Sequence, residues 1–270
     1  YSITANNWKI VSFNNDVYFF QSGHAALMSV AGSTTLTAVI NGAHAAPAAN
    51  EVLASFGRLW AADVANNSYT VYWSDLLDGD DWHGGSAGSL DITTVWPTGY
   101  DEIVALQEFN NFLVIFGKDS IVIYEGADSP ASMTLSDTIS NIGCVSRDAV
   151  VSTGKDLIFL DRSGVRSLAR TIQEKSSPIG DISKNVNNDI KNLVASETGN
   201  ISLHYSPKEA FVLVNFPVLQ TVYVFDTRFP LQDGSYRATT WSSMAPLRFT
   251  NLVDETIYIG NATGIDEYDS

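Results

Sequence analysis

A single cysteine, Cys144, stands in a chain of 270 residues. That excludes an internal disulfide framework and a cysteine-only zinc site, so the fold relies on its core. Basic residues are scarce too: 15 Lys and Arg face 30 Asp and Glu, a net charge of −15. Residues 1–146 hold fifteen acids against Lys9, Arg58 and Lys118 alone, a net of −12, whereas residues 147–270 hold fifteen acids and twelve bases, a net of −3. Holding nucleic acid through its phosphates takes clustered Lys and Arg, so no specific nucleic-acid binding is expected. No apolar run reaches the roughly 18 residues of a membrane-spanning helix, and no membrane partner is expected. The start, Tyr1-Ser2-Ile3, has no Met, no basic n-region and no apolar h-region, which reads as a fragment of a longer polypeptide or a processed product.

Catalytic signatures are equally sparse. No G-x-S-x-G, P-loop or G-x-G-x-x-G occurs. His24, His44, His83 and His204 are scattered without ligand spacing such as H-x-x-x-H. Cys144 lies beside Ile142 and Val145, the setting of an inert core thiol. The richest local candidate is the acidic loop around Asp75, Asp78, Asp80, Asp81 and Trp82. Its four carboxylates are the hard oxygen donors that calcium takes, but their order does not match the EF-hand, and a solvated turn is the expectation. Trp82 sits one residue too far from Ser74 for the Asp-box of sialidases, whose arginine cluster is missing where residues 1–146 hold only Arg58. Glycoside hydrolysis would need two carboxylates converging on a pocket. No catalytic residue, cofactor site or metal site is therefore expected.

What the chain does contain is a repeat: an apolar strand, a short polar turn, a second very apolar strand, a Gly- or Asn-containing turn, and a third strand. The copies run over 10–30, 52–73, 103–124, 149–168, 201–225 and 249–268. Taking the first core residue of each second strand gives Val17, Leu59, Leu113, Leu157, Phe211 and Ile257, separated by 42, 54, 44, 54 and 46 residues. Blades of a β-propeller recur about every 40–50 residues as four-stranded meanders. Asn-Asn, Gly-Lys-Asp and Ser-Gly turns between β-branched and aromatic runs are hairpin signals. The second strands are apolar on both faces, as strands packed between neighbouring sheets must be. The third strands alternate better, as in Val222-Tyr223-Val224-Phe225-Asp226, which suits the rim. A two-sheet sandwich would explain the strands but not six spaced copies. The expected architecture is an all-β, single-domain propeller of about six blades over 1–270, with 18 to 24 short strands.

One helix is expected, on an insertion between the fourth and fifth repeats, where Ile182, Val186, Ile190, Leu193 and Val194 follow a 3.6-residue period behind a capping Asp181. The stretch from Tyr72 to Tyr100 reads as a loop. The sixth repeat ends after three strands, and residues 1–7 are a candidate fourth that would remove an exposed edge.

Three segments carry a resemblance. Val71-Tyr72-Trp73-Ser74-Asp75 followed by Trp82, and Gly164-Val165-Arg166-Ser167-Leu168, are similar to strand-end signatures of phage tail propellers. The longest is Val222-Tyr223-Val224-Phe225-Asp226-Thr227-Arg228 with Pro230-Leu231, Asp233-Gly234-Ser235-Tyr236-Arg237 and Thr240-Trp241. It resembles the tail nozzle (tail tubular protein B) of short-tailed bacteriophages and, more distantly, their DNA-stabilising tail proteins. Nozzle proteins are much longer, so the resemblance implies an excised propeller core. It further implies a virion tail component, made in the bacterial cytoplasm, in a six-fold ring around the DNA exit channel, with adaptor and fibre proteins as partners. The acidic balance suits such a wall, since DNA must slide past without being gripped. The rival readings are a propeller recognising a host-surface glycan or protein, and a glycoside hydrolase-like propeller.

Overall fold

Hairpins closed by left-handed residue pairs generate the first three sheets. In the computed structural model, which describes residues 7–174, 182–242, 244 and 246–268, Asn14 and Asn15 take φ of 48° and 67° between β1 (Lys9–Phe13) and β2 (Asp16–Phe20). Asn110 and Asn111 do the same, at 50° and 65°, between β11 (Ile103–Phe109) and β12 (Phe112–Gly117). Two-residue hairpins need positive φ at both central positions, and asparagine tolerates that region better than any residue but glycine. The registers Phe13↔Asp16 and Phe109↔Phe112 follow directly.

The protein is an all-β propeller of six blades, with 24 strands and two short helices among the described residues. Residues 1–141 and 142–270 form two compact units. In the first, β1, β2, β3 (Leu27–Ser29) and β4 (Thr37–Ala38) make one meander, with a small hairpin of β5 (Ile40–Asn41) and β6 (His44–Ala45) beside it in sequence. The second meander is β7 (Ala49–Ser55), β8 (Arg58–Val64), β9 (Thr70–Trp73) and β10 (Gly88–Asp91). The third adds β13 (Ser120–Glu125) and β14 (Thr134–Ser140) to β11 and β12. In the second unit, β15 (Val150–Ser152), β16 (Leu157–Asp161) and β17 (Gly164–Ser167) form a three-stranded sheet. A four-stranded sheet follows, of β18 (Ser202–Ser206), β19 (Phe211–Phe216), β20 (Thr221–Asp226) and β21 (Arg237–Ser242). The last is β22 (Arg248–Asn251), β23 (Ile257–Gly260) and β24 (Ile265–Glu267).

Every strand of the six repeats is present, and all six aligned residues fall at the first or second position of their second strand. Leu59, Leu113, Leu157 and Ile257 are buried, while Val17 and Phe211 are half-buried. Strand β8 shows why the middles of these strands are apolar. Leu59 and Ala61 point into a cluster with Tyr18, Phe20, Met28 and Val52, whereas Trp60 and Ala62 point into another with Trp73, Trp96, Leu106 and Leu113. Alternate side chains serve two different layers, so the stretch Leu59 to Ala62 is apolar on both faces, with Arg58 and Asp63 flanking it.

Three expectations need correcting. The third strands do not alternate: Val222 to Phe225 are all buried, because β21 lies outside them and takes the half-exposed position. The stretch from Tyr72 to Tyr100 is not all loop, since Gly88–Asp91 pairs with β9 as β10. There are two helices rather than one. The unforeseen α1 (Leu168–Glu174) is capped by Ser167, whose hydroxyl accepts from the Arg170 amide at 3.2 Å, and by Asp156, which accepts from the Ala169 amide at 3.0 Å. The expected helix is α2 (Asn187–Ser196), which begins later than the periodicity implied because Ile182 extends the edge of β17, its amide bonding Val165 O at 2.8 Å. Asp181 and residues 1–6 lie outside the described residues, so neither the cap nor the candidate closing strand is described.

In each unit one carboxylate ties three consecutive sheets together. Glu51 on β7 is fully buried, 3.4 Å from Lys9 Nζ on β1, and accepts a hydrogen bond from the Leu106 amide on β11 at 3.3 Å. Asp148, just before β15, accepts from Asn200 Nδ2 at 2.6 Å and Arg248 Nη2 at 2.8 Å, with Arg147 Nε 3.4 Å away. Replacing Glu51 by Ala should cost about 3 kcal/mol in urea unfolding, because Lys9 loses its buried partner, and the double change Glu51→Met with Lys9→Met should recover most of that loss.

Candidate functional site

The loop 74–86 between β9 and β10 carries the densest set of chemical groups in the first unit, and its own carboxylates fold it. Asp75 Oδ1 accepts from the Ser86 amide at 2.8 Å, the Ser86 hydroxyl at 2.6 Å and the Leu76 amide at 2.8 Å, pinching the loop at its base. Asp78 Oδ1 accepts from the amides of Asp80 and Asp81, at 2.9 and 3.2 Å. Asp81 Oδ1 accepts from those of His83 and Gly84, at 2.9 and 2.7 Å. Below lies buried Arg58, which donates to Ser74 O at 2.8 Å and Ser86 Oγ at 2.9 Å and comes within 3.9 Å of Asp75. Trp82 donates to Gly79 O at 2.9 Å and leans on Phe20, ring centroids 5.9 Å apart. A Cβ on Gly79 would stand 2.5 Å from the Tyr18 hydroxyl, so only glycine lets the loop lie this close to β2.

Asp80 is the one carboxylate that departs from this pattern. It accepts from the Tyr18 hydroxyl at 3.1 Å. Burial pushes its carboxyl up, the charges of Asp78 and Asp16 add to that, and the Tyr18 hydrogen bond opposes it. Burial and the neighbouring Asp80 likewise push the Tyr18 phenol above its ordinary range. Asp75 and Asp81 move the other way, held low by hydrogen bonds from Ser86 and from Gly84 with His83. The four sequence candidates are thus engaged one by one by backbone or by Tyr18. Among the described residues no three His, Cys, Asp or Glu side chains could hold a metal ion. Chemically the loop offers a shaped negative surface rather than a ligand cage.

The structure brings two of the histidines together: His44 on β6 stacks on His83, centroids 3.8 Å apart and planes within 12°. His24 lies 5.6 Å from the Trp8 ring. His204 on β18 sits over Phe249 and shares a 2.9 Å hydrogen bond with Asn251, which itself donates to Tyr205 O. Burial lowers the His204 imidazole below its ordinary value, and the Asn251 bond partly offsets that. Cys144 is buried, with Sγ 3.1 Å from the Ser146 carbonyl, and takes part in no reactive arrangement. Sequence reasoning missed the buried pair Glu51 and Lys9 and an open pocket at the β11–β12 turn. An acid opening an apolar run was the signal for the first.

Removing the Asp75 carboxylate, as in Asp75→Ala, should destabilise the protein by about 2 kcal/mol, and amide exchange in 76–86 should accelerate first. His204 binds its proton more readily once unfolded, so its contribution is fully present above pH 6.5 and is lost as pH falls below that value. Unfolding curves between about pH 7.5 and 5 should show that loss, and His204→Gln should flatten it.

No family model matches the chain, and no curated protein does. Many solved structures resemble it. A protein from Lactobacillus plantarum superposes with a TM-score of 0.60 at 14% identity, covering 96% of this chain and 82% of that one. The computationally designed Ika8 protein gives 0.55 at 11%, covering 96% and 69%. A putative 6-phosphogluconolactonase from Bacteroides fragilis gives 0.52 at 10%, covering 96% and 82%. At such identities the likeness is one of fold, and the fold is the propeller, a scaffold that also carries an enzyme among these neighbours.

Proposed function

We propose that this propeller is a structural, non-catalytic part of the tail nozzle of a short-tailed bacteriophage, located in the virion tail beside adaptor and fibre proteins and acting as one member of a six-fold ring. The observation that carries the reading is the resemblance over Val222–Trp241, several of whose residues have a structural task here. Val222 to Phe225 fill the core of β20, and Trp241 pairs with Val222. Asp226 holds Arg228 at 2.7 Å, and the guanidinium lies 5.7 Å from the Phe211 ring. The Gly234 carbonyl accepts from Arg170 at 2.6 Å, while Arg170 lies 6.0 Å from the Tyr236 ring. A motif used for architecture rather than chemistry is consistent with a structural protein.

Charge supports the same reading. A wall that neutralises phosphates would brake a sliding duplex, whereas one of net −12 over residues 1–146 repels it within a Debye length, about 8 Å at physiological salt. The likeness to a lactonase is of fold alone, and activity lives in sites rather than folds.

Mass spectrometry of purified virions from the source phage or its induced host should find peptides of this chain in tail-bearing particles. Their absence there, with abundance in the host cell fraction, would overturn the nozzle reading. The purified protein should not bind duplex DNA at physiological salt, and micromolar binding with a steep salt dependence would remove the repulsive-wall argument.

A further inference from the structure

An open pocket of about 440 Å³ lies at one end of the third sheet, between the β11–β12 turn and the connection from β13 to β14. Its lining includes Asn110, Asn111, Phe112, Glu125, Ser132 and Thr134. The volume lies in the range of small-ligand sites, roughly 300–1,000 Å³. Four features of its chemistry narrow the ligand. Asn110 and Asn111 are locked by the left-handed turn, at φ of 50° and 65°, and among the described residues no protein group takes up their carboxamides. The equivalent turn of the first sheet differs, since there the Asn14 amide is spent on Leu77 O. Glu125 is oriented by the Thr134 hydroxyl at 3.1 Å, leaving its other oxygen to accept. Phe112 is half-buried, so part of its ring is open to a ligand. No Lys or Arg lines the space.

A carboxamide can accept from one hydroxyl and donate to its neighbour, a carboxylate can accept from two vicinal hydroxyls, and an aromatic ring takes the C–H face of a sugar. An unneutralised carboxylate in the wall disfavours anionic ligands. We propose that this pocket binds a neutral sugar residue, with Asn110, Asn111 and Glu125 reading its hydroxyls and Phe112 its apolar face. The site stands apart from the nozzle reading and does not depend on it.

The proposal is tested on the 270-residue protein by amide NMR titration with glucose, galactose, mannose and N-acetylglucosamine, each as free sugar and as methyl glycoside, with glucuronate as the anionic control. At least one neutral sugar should shift the amides of 110–112, 126 and 132–134 at millimolar concentration, and glucuronate should not. Methyl glycosides binding as well as free sugars identifies a residue within a polysaccharide, and binding by free sugars alone identifies a free saccharide; either supports the site. Asn111→Gly keeps the turn while deleting the carboxamide, and it should weaken binding about tenfold with an unchanged melting temperature. Phe112→Leu should weaken it independently. The site is refuted if no neutral sugar moves these amides, if glucuronate binds as tightly, or if both folded variants bind like the parent.

Discussion

Each half of this protein is organised around a carboxylate that reaches three consecutive sheets. Apolar contact alone does not set how neighbouring sheets align, because it rewards area and is indifferent to direction. A buried charge is different. It costs several kcal/mol to desolvate and is tolerated only where its partners stand at the correct place. Glu51 finds Lys9 on one neighbour and the Leu106 amide on the other. Asp148 finds Asn200 and Arg248 on the next two sheets, and its carbonyl accepts from the Leu203 amide at 2.8 Å. Two sheets slid by one residue would leave such a group unpaired, so the same contacts that cost most to form make the alternatives costlier still.

The sheets between these pins are filled by strands that face two layers at once. With Trp60 and Ala62 on one side of β8 and Leu59 and Ala61 on the other, charge is kept out of the middle of the strand and stands toward its ends, as Arg58 and Asp63 do, or in turns and loops. The loop 74–86 shows how such a loop copes with four carboxylates in seven residues. Three of them bond backbone amides at turns, which satisfies donors that no strand partner reaches, and the fourth is paired with a phenol. Acidity and loop architecture are therefore one feature.

The fold was legible because its period is strong. Eighteen strands recur as apolar runs between Asn and Gly turns, and among them β8, β12, β16 and β19, all second strands, are buried along most of their length. What was not legible is what packing does not mark. The fourth strands are exposed or half-exposed along most of their length, as in Gly88–Asp91, where Gly-Ser-Leu-Asp reads as a loop until β9 supplies its hydrogen bonds. Helix α1 was missed although Ser167 caps it locally, because Gly164 to Leu168 read as one continuous strand and the second cap, Asp156, is not adjacent in sequence. Of the candidate site, the sequence placed the acidic loop and its turn character but not which amides its aspartates engage. Which amides the aspartates reach depends on the left-handed backbone at Leu77 and Gly85, which spacing does not reveal.

This distinction bears on function. Carboxylates arranged to coordinate would give a local, saturable site, whereas carboxylates spent on amides keep their charge and project it as a field. Hydrogen bonds that lower Asp75 and Asp81 keep both ionised well into acid conditions, so the negative surface persists across the physiological range. Such a field discriminates by sign and not by shape. The pocket at Asn110 and Asn111 lies on the same acidic unit and has no Lys or Arg in its lining, so a neutral ligand would meet its hydroxyl-matching groups without the cost a like charge carries.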